Sequence, residues 1–481
     1  MLLLLRYKNS LVAVLIFLVT SVNAIAFNMP ILWVIPFLWL LLPRVVDFCV
    51  TRTEQLFWLL IFSLPFSTEL QISQSLGLDF PDEPFMILLT AIAILKFLHQ
   101  PKYFPNYLSK QPLFFLLLLI MGWTLLSAAF AENQLLGFKF FLARIWYIVP
   151  FVLLPQILLQ TQTSITKMAQ LFLIAMTIIV VQTLVRHSSY GFSFVLIKKA
   201  IDPFFRNHVN YSAMLVCLLP LAWAMFTLTP ISNTRRKWIL WGLGLGIIAL
   251  FFAYSRGAWL ALLVGLLVAW SIRKKWFKQL VVITIIIMLG MTSWLVKDYH
   301  YMQFAPDHDR TIFHTDFKEH MAATVALKDV SNAERFYRWV AGFKMFVEKP
   351  ITGFGPNSFY SQYKNYTVSS FETWVSDNPE HSTVHNYFLL TLLEQGLPGL
   401  LLFCCLYIGM LFKAQQLFYQ LQNNFYSTIA LTIAIILGML GVINFMSDMV
   451  ETDKLGSLFW LCLGLILVLD KKLAEEQNNL A

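Results

Sequence analysis

STIALTIAIILGMLGVINFM, residues Ser427–Met446, runs for twenty residues without a charge. A helix of that length crosses the ~30 Å hydrocarbon core of a bilayer. Only a helix can satisfy its own backbone groups there. Working outward, comparable runs recur near Leu455–Leu469, His385–Leu411, Gln279–Val296, Gly257–Ile272, Trp238–Tyr254 and Tyr211–Pro230, and on back to Leu11–Phe27. Length and hydropathy give about fourteen spans. Several of the first six are short, so the expected architecture is an all-α polytopic transmembrane bundle of about 12–14 spans. Composition agrees: 58% of the 481 residues are hydrophobic and 13% are charged, against about 25% charged in soluble domains.

The net charge of +9 does not indicate a nucleic-acid partner, because the lysines and arginines sit mainly in short loops between apolar runs, where they set topology. Arg235-Arg236-Lys237 and Arg273-Lys274-Lys275 flank the ninth and tenth spans and are expected on the cytoplasmic side. The same assignment puts Arg6, Lys8 and Lys471-Lys472 inside, hence both termini, and puts the acidic connection with Glu69, Asp79, Asp82 and Glu83 outside. Val22-Asn23-Ala24 is a passable cleavage site, yet an apolar run restarts at Pro30, so an uncleaved first span is expected. The five cysteines lie in or beside apolar segments without C-x-x-C spacing, as buried small hydrophobes do.

The chain then divides into an N-terminal transmembrane bundle (1–296), a large periplasmic loop (297–384), C-terminal transmembrane helices (385–470) and a cytoplasmic tail (471–481). The loop has soluble composition, and with His385 at its end it holds six of the nine histidines. Ser331-Asn332-Ala333-Glu334 fits a capping box. Phe336, Val340, Phe343 and Val347 follow at helical spacing and predict an amphipathic helix, stopped by Pro350 and Gly353-Phe354-Gly355-Pro356.

Four places put a cation or an imidazole at the outer boundary: Tyr254-Ser255-Arg256-Gly257, Phe205-Arg206-Asn207-His208, the Arg335/Arg338 pair, and His385-Asn386. The eighth, tenth and twelfth spans all start at that face, and a helix N-terminus attracts anions. Arginine grips phosphate oxygens bidentately, so a diphosphate suits the set. Each residue also has a plainer reading. Boundary arginines often snorkel, Arg335 or Arg338 alone fits a solvated helix face, and His385 alone fits a satisfied boundary histidine.

The chain resembles the O-antigen ligase and O-antigen polymerase superfamily of membrane glycosyltransferases (Wzy/WaaL type). Ser255-Arg256-Gly257-Ala258-Trp259-Leu260 is similar to its S-R-G-x-x-L turn. Arg335 to Trp339, Pro350 and Gly353 to Phe359 are similar to its R-x-x-x-W … P-x-x-G-x-G-x-x-x-F loop. His385 to Phe388 and Glu394 to Gly399 are similar to its H-N-x-(Y/F)-L … E-x-G-(L/I)-x-G segment. Residues 205–213 resemble a further family stretch, with Asn207-His208-Val209-Asn210 in place of the usual pattern. The first two hundred residues contribute only hydropathy.

The resemblance implies transfer or polymerisation of a glycan from an undecaprenyl-diphosphate carrier at the periplasmic face of a bacterial inner membrane. The acceptor would be a glycan, lipid A–core or a protein. It implies catalytic roles for His385, Arg256 and Arg335. Arg338, which is not a family position, together with His208, Asn386 and Arg206, is expected to bind substrate. Inversion at the anomeric carbon is expected, with no cofactor and no metal. Asp448 and Glu451 are placed to orient an arginine or to serve as base. The alternative is a lipid-linked oligosaccharide flippase, but only Arg144 lies clearly within a span and no inverted repeat is visible. Asp307, His308, Asp309, His314, Asp316, Glu319 and His320 could hold a divalent cation, although a solvated polar loop explains them equally well.

Overall fold

The computed structural model describes residues 17–23, 47–48, 50–73, 76–298, 300, 330–368, 372, 376 and 382–480. The second expected span and the Asp307–His320 cluster lie outside the described residues, as does most of the first span. The rest is an α-helical bundle, as its unbroken apolar runs require. In chain order it comprises α1 (Thr53–Ser63), α2 (Asp82–His99), α3 (Pro112–Ala129), α4 (Gln134–Leu158), α5 (Gln162–Ser189), α6 (His208–Leu228) and α7 (Arg235–Phe252). Then follow α8 (Arg256–Arg273), α9 (Phe277–Val296), α10 (Val330–Glu348), α11 (Tyr387–Gln420), α12 (Asn424–Met446) and α13 (Asp453–Leu480). Eight of these are long and apolar enough to cross a membrane: α3, α4, α5, α6, α8, α9, α11 and α12. Many leucines, isoleucines and valines on their outer faces are exposed, such as Ile286 and Leu289 on α9. In water so large an apolar surface is a liability, whereas lipid matches it.

Helices α8 and α11 run in the same direction. At one rim Gly257 opens α8 against Met446 at the end of α12, and Tyr387 opens α11 by donating its backbone N–H to Ser447 O at 3.1 Å. At the opposite rim Tyr419 donates its hydroxyl to Ile272 O, and Lys413 pairs with Asp470 at 2.6 Å. The long loop therefore lies at the rim opposite Arg273, Lys413 and Lys471. The acidic connection at the loop-side rim forms an antiparallel hairpin, β1 (Thr68–Ser73) with β2 (Leu76–Phe80), in which Glu69 faces Asp79.

The amphipathic helix is present as α10, and its expected capping box needs correction. The helix already includes Val330, and Glu334 is not turned back toward its start: it accepts from Ser376 Oγ at 2.6 Å and pairs with Arg338 at 3.3 Å. The inward face carries Glu334, Tyr337, Arg338, Ala341 and Met345, while Phe343 and Val347 stand 39% and 77% exposed. Polar anchors with protein partners win the inward face here, and an outward apolar face tolerates a membrane boundary. Gly342 seats the helix on α11, since a Cβ there would lie 2.9 Å from Leu393 Cδ1.

Candidate active site

The loop-side rim is built where α8, α10, α11 and α12 converge. Asn386 caps α11, its Oδ1 accepting from Leu389 N at 3.0 Å, and is buried. Trp339 on α10 donates its indole N–H to Val384 O at 3.0 Å and packs edge-on against Phe445, ring centroids 6.0 Å apart. Phe445 and Met446 then lead to Gly257. One continuous chain of contacts thus joins Arg256, the first residue of α8, to the Val384–Asn386 corner.

His385 occupies that corner with φ +53°, a left-handed conformation uncommon outside glycine. Burial pushes its imidazole down to about 3, and the Arg338 and Arg335 guanidiniums add to the effect. The ring is therefore neutral at physiological pH, and three of the expected residues share one electrostatic neighbourhood. Arg338 is 4% exposed and committed to the protein: it donates to Thr383 O at 2.9 Å and to Glu334. Arg335 and Arg256 are half-buried.

The remaining expected residues sit apart. His208 opens α6 behind the Asn207 cap. Its ring lies 6.2 Å from Phe194, whose ring is 5.6 Å from Tyr254 beside the Arg256 turn. Arg206 turns the other way, to Glu69 at 3.1 Å and Asp79 at 3.8 Å.

Next to the cationic corner is a cavity of about 410 Å³. Thr383 and Asp448 form its near wall, Arg206 and the hairpin its far wall, and Phe140, Trp146 and Tyr147 of α4 a third side. Its ionisable lining holds Glu69, Asp79, Glu83, Glu394, Asp448, Glu451 and Asp453 against Lys139, Arg144 and Arg206. Arg144 is the hub: it donates to Tyr387 OH at 2.7 Å and to Glu451 Oε1 at 2.5 Å, with its guanidinium 4.7 Å from the Phe140 ring centre. Burial raises the carboxyl of Asp448, with Thr383 and Arg338 opposing; burial likewise raises Glu451, with Arg144 opposing. Lys454 fixes the far wall, donating to Pro65 O at 3.0 Å, Ser67 O at 2.9 Å and Phe204 O. Among the described residues no three His, Cys, Asp or Glu side chains are grouped to hold a metal ion.

Sequence reading missed the cavity. It treated the acidic connection as a topology signal and Arg144 as an isolated charge. The usable signal was that an ionisable residue within a span needs a partner, and Glu451 was the candidate already in view.

The glycine motifs turn out to be a lock. Gly353, Gly355 and Gly396 all have positive φ, and a Cβ on Gly396 would lie 1.9 Å from Ile351 O. That close approach lets Leu397 N donate to Pro350 O at 2.8 Å, Phe354 N to Leu393 O at 3.0 Å and Gly355 N to Glu394 O at 2.9 Å. The Glu394 carboxylate accepts from the backbone of Asn357, Ser358 and Phe359 at 2.9, 3.0 and 3.1 Å. Helix α11 kinks at Gly396 but continues to Gln420, past the expected end near Leu411. The end of α10 and the loop after it are thereby pinned to α11, which fixes Arg335 relative to His385.

Residues 241–404, a third of the chain, match the family model described as O-antigen ligase. No curated protein matches the chain. The matched segment contains Arg256, Arg335, His385, the glycine lock and Glu394, so over that third of the chain the motifs and their order are similar to those of the O-antigen ligase family.

Proposed function

We propose that the protein transfers or polymerises a glycan carried on a polyprenyl diphosphate, at the periplasmic face of the inner membrane. Arg256, Arg335 and the N-termini of α8 and α11 hold the diphosphate and stabilise the charge that develops as the anomeric bond breaks. An acceptor hydroxyl attacks the anomeric carbon from the opposite face, so the configuration inverts. Its proton passes to the His385 imidazole, the C1–O bond to phosphate breaks, and the electron pair leaves with the polyprenyl diphosphate. Diphosphate is a good leaving group and guanidinium supplies the compensating charge, so the step does not require a metal.

The observation that carries this reading is the corner itself: His385 sits in a left-handed turn between Val384, held by Trp339, and the Asn386 cap of α11, with Arg338 and Arg335 as electrostatic neighbours. Burial and the two guanidiniums keep the ring neutral and weakly basic, and an arriving polyanion raises its basicity where the proton is to be taken up. The test is complementation of a deletion strain with Arg256→Ala and His385→Ala, read on gels of surface glycans beside membrane expression. Loss of product at normal expression is expected, and near-normal glycans would overturn the reading. In the deletion strain, loss of every core-attached repeat marks a ligase, and a single attached repeat without the ladder marks a polymerase.

A further inference from the structure

The rim is sorted by charge. The cationic corner suits phosphate oxygens, whereas the adjoining cavity has seven carboxyl groups, not all of them ionised, against three cations in its lining. Carboxylates alone do not make a binding site. This one is also a half-open volume of about 410 Å³, within the ~300–1,000 Å³ typical of ligand pockets. Its third side presents Phe140, Trp146 and Tyr147, and the C–H faces of a sugar ring stack on such aromatic surfaces. Its near wall includes Thr383, whose Oγ1 accepts from the backbone N–H of His385 at 3.4 Å, so the cavity begins two residues from that corner.

We infer that this cavity binds the sugar unit that presents the attacking hydroxyl, and that it selects hydroxyl-rich, non-anionic sugars and rejects uronates and other acidic sugars. The inference rests on the proposed transfer reaction and adds the chemical class of its acceptor. Ionised carboxylates accept hydrogen bonds from sugar hydroxyls. They repel a carboxylate substituent, and in a partly enclosed volume that repulsion is screened less than in bulk water. Arg144 is offset by Glu451 and Arg206 by Glu69 with Asp79, and in the rest of the lining carboxyl groups still outnumber cations. The polyanionic diphosphate is excluded for the same reason and kept at the Arg256–Arg335 side.

The test uses the full chain in lipid nanodiscs, titrated by saturation-transfer NMR with three disaccharides: N-acetylated and neutral, de-acetylated and cationic, and a uronate. Neutral and cationic probes are expected to saturate, with the uronate at least about tenfold weaker. In the Asp79→Asn/Glu83→Gln variant, checked for unchanged melting temperature, the gap should close to within about threefold. Should that variant melt early, Trp146→Ala serves instead and should weaken all three probes alike. Equal binding of the uronate to the parent protein, an unchanged gap in the double variant, or no saturation by any probe would overturn the inference. Failure of the transfer reading is separate: active Arg256→Ala protein would sink that reaction while leaving the charge sorting measurable.

Discussion

The two halves of the loop-side rim solve opposite electrostatic problems with the same helices. On one side Arg338 and Arg335 act on a neutral His385 and Arg256 opens α8 at the same rim, all within the segment that matches the O-antigen ligase family. On the other, Glu69, Asp79, Glu83, Asp448, Glu451 and Asp453 line a cavity from outside that segment, joined by Glu394 from within it. In the proposed reaction a diphosphate carrier calls for the first arrangement, whereas the second concerns what meets the carrier. Under the proposed function, the difference assigns the shared motifs to the phosphate side of the reaction and to the backbone lock that supports it.

The sharpest way to break the comparison is to remove one cation or the imidazole. Arg256→Ala, Arg335→Ala and His385→Ala should each lower transfer about 10²–10³-fold, the usual loss for a transition-state donor or a proton-transfer group. Glu83→Gln across the cavity should lower it less than tenfold, as expected of a binding contact. Rates on purified enzyme with synthetic donor check both, and equal losses on the two sides would erase the distinction.

Next comes the lock. Gly396→Ala puts a methyl group into Ile351 O at φ +69°, which should cost more than about 3 kcal/mol, combining strain and overlap. A fall in folded yield and melting temperature in detergent measures it. The Arg144–Glu451 pair follows. Arg144 is 8% exposed, so Arg144→Met leaves a carboxylate facing a largely dry wall and should cost about 2–3 kcal/mol, less than a fully buried pair because the Glu451 side chain is 26% exposed. The double variant with Glu451→Gln should recover most of the loss.

How much of this was legible in the sequence follows from the range of the forces involved. Spans could be read because a 20-residue apolar run has one stable state in lipid, and Arg256, Arg335 and His385 stood out because cations at helix starts form a local pattern. Apolar spacing predicted the α10 helix but not which face turns inward, because it cannot tell a core from a lipid boundary. Only the buried pairing of Glu334 with Arg338 and Ser376 decided it. The cavity was invisible because it joins residues 69–83, 139–147 and 448–453, whose meeting is purely tertiary. Gly396 was read as part of a motif, but its reason, a backbone pressed against Ile351 O, needs two distant segments at once.

The pH response separates the two sides by sign. His385 titrates near 3 in the folded protein and near its ordinary ~6.5 when unfolded, so the unfolded chain binds more protons between those values. The stability held in the neutral ring is present above about pH 6.5 and is lost as pH falls toward 3, up to about 2 kcal/mol by pH 5. Asp448 and Glu451, raised by burial, bind more protons when folded and act in the opposite direction. His385→Gln should therefore remove the acid-side loss of melting temperature, and a variant that keeps the full parental slope would exclude His385 as its source.

The smallest effect belongs to Arg206. Glu69 and Asp79 face each other across the hairpin, a like-charge pairing that disfavours the register, and Arg206 reaches both. Because its side chain is 62% exposed, the bridge contributes less than about 1 kcal/mol. Arg206→Gln should shift melting by no more than that, and should leave the KM for lipid-diphosphate donor unchanged while deepening discrimination against the uronate probe. A rise of tenfold or more in donor KM would move Arg206 to the phosphate side, where its position in the sequence first put it, and would redraw the boundary between the two halves of the rim.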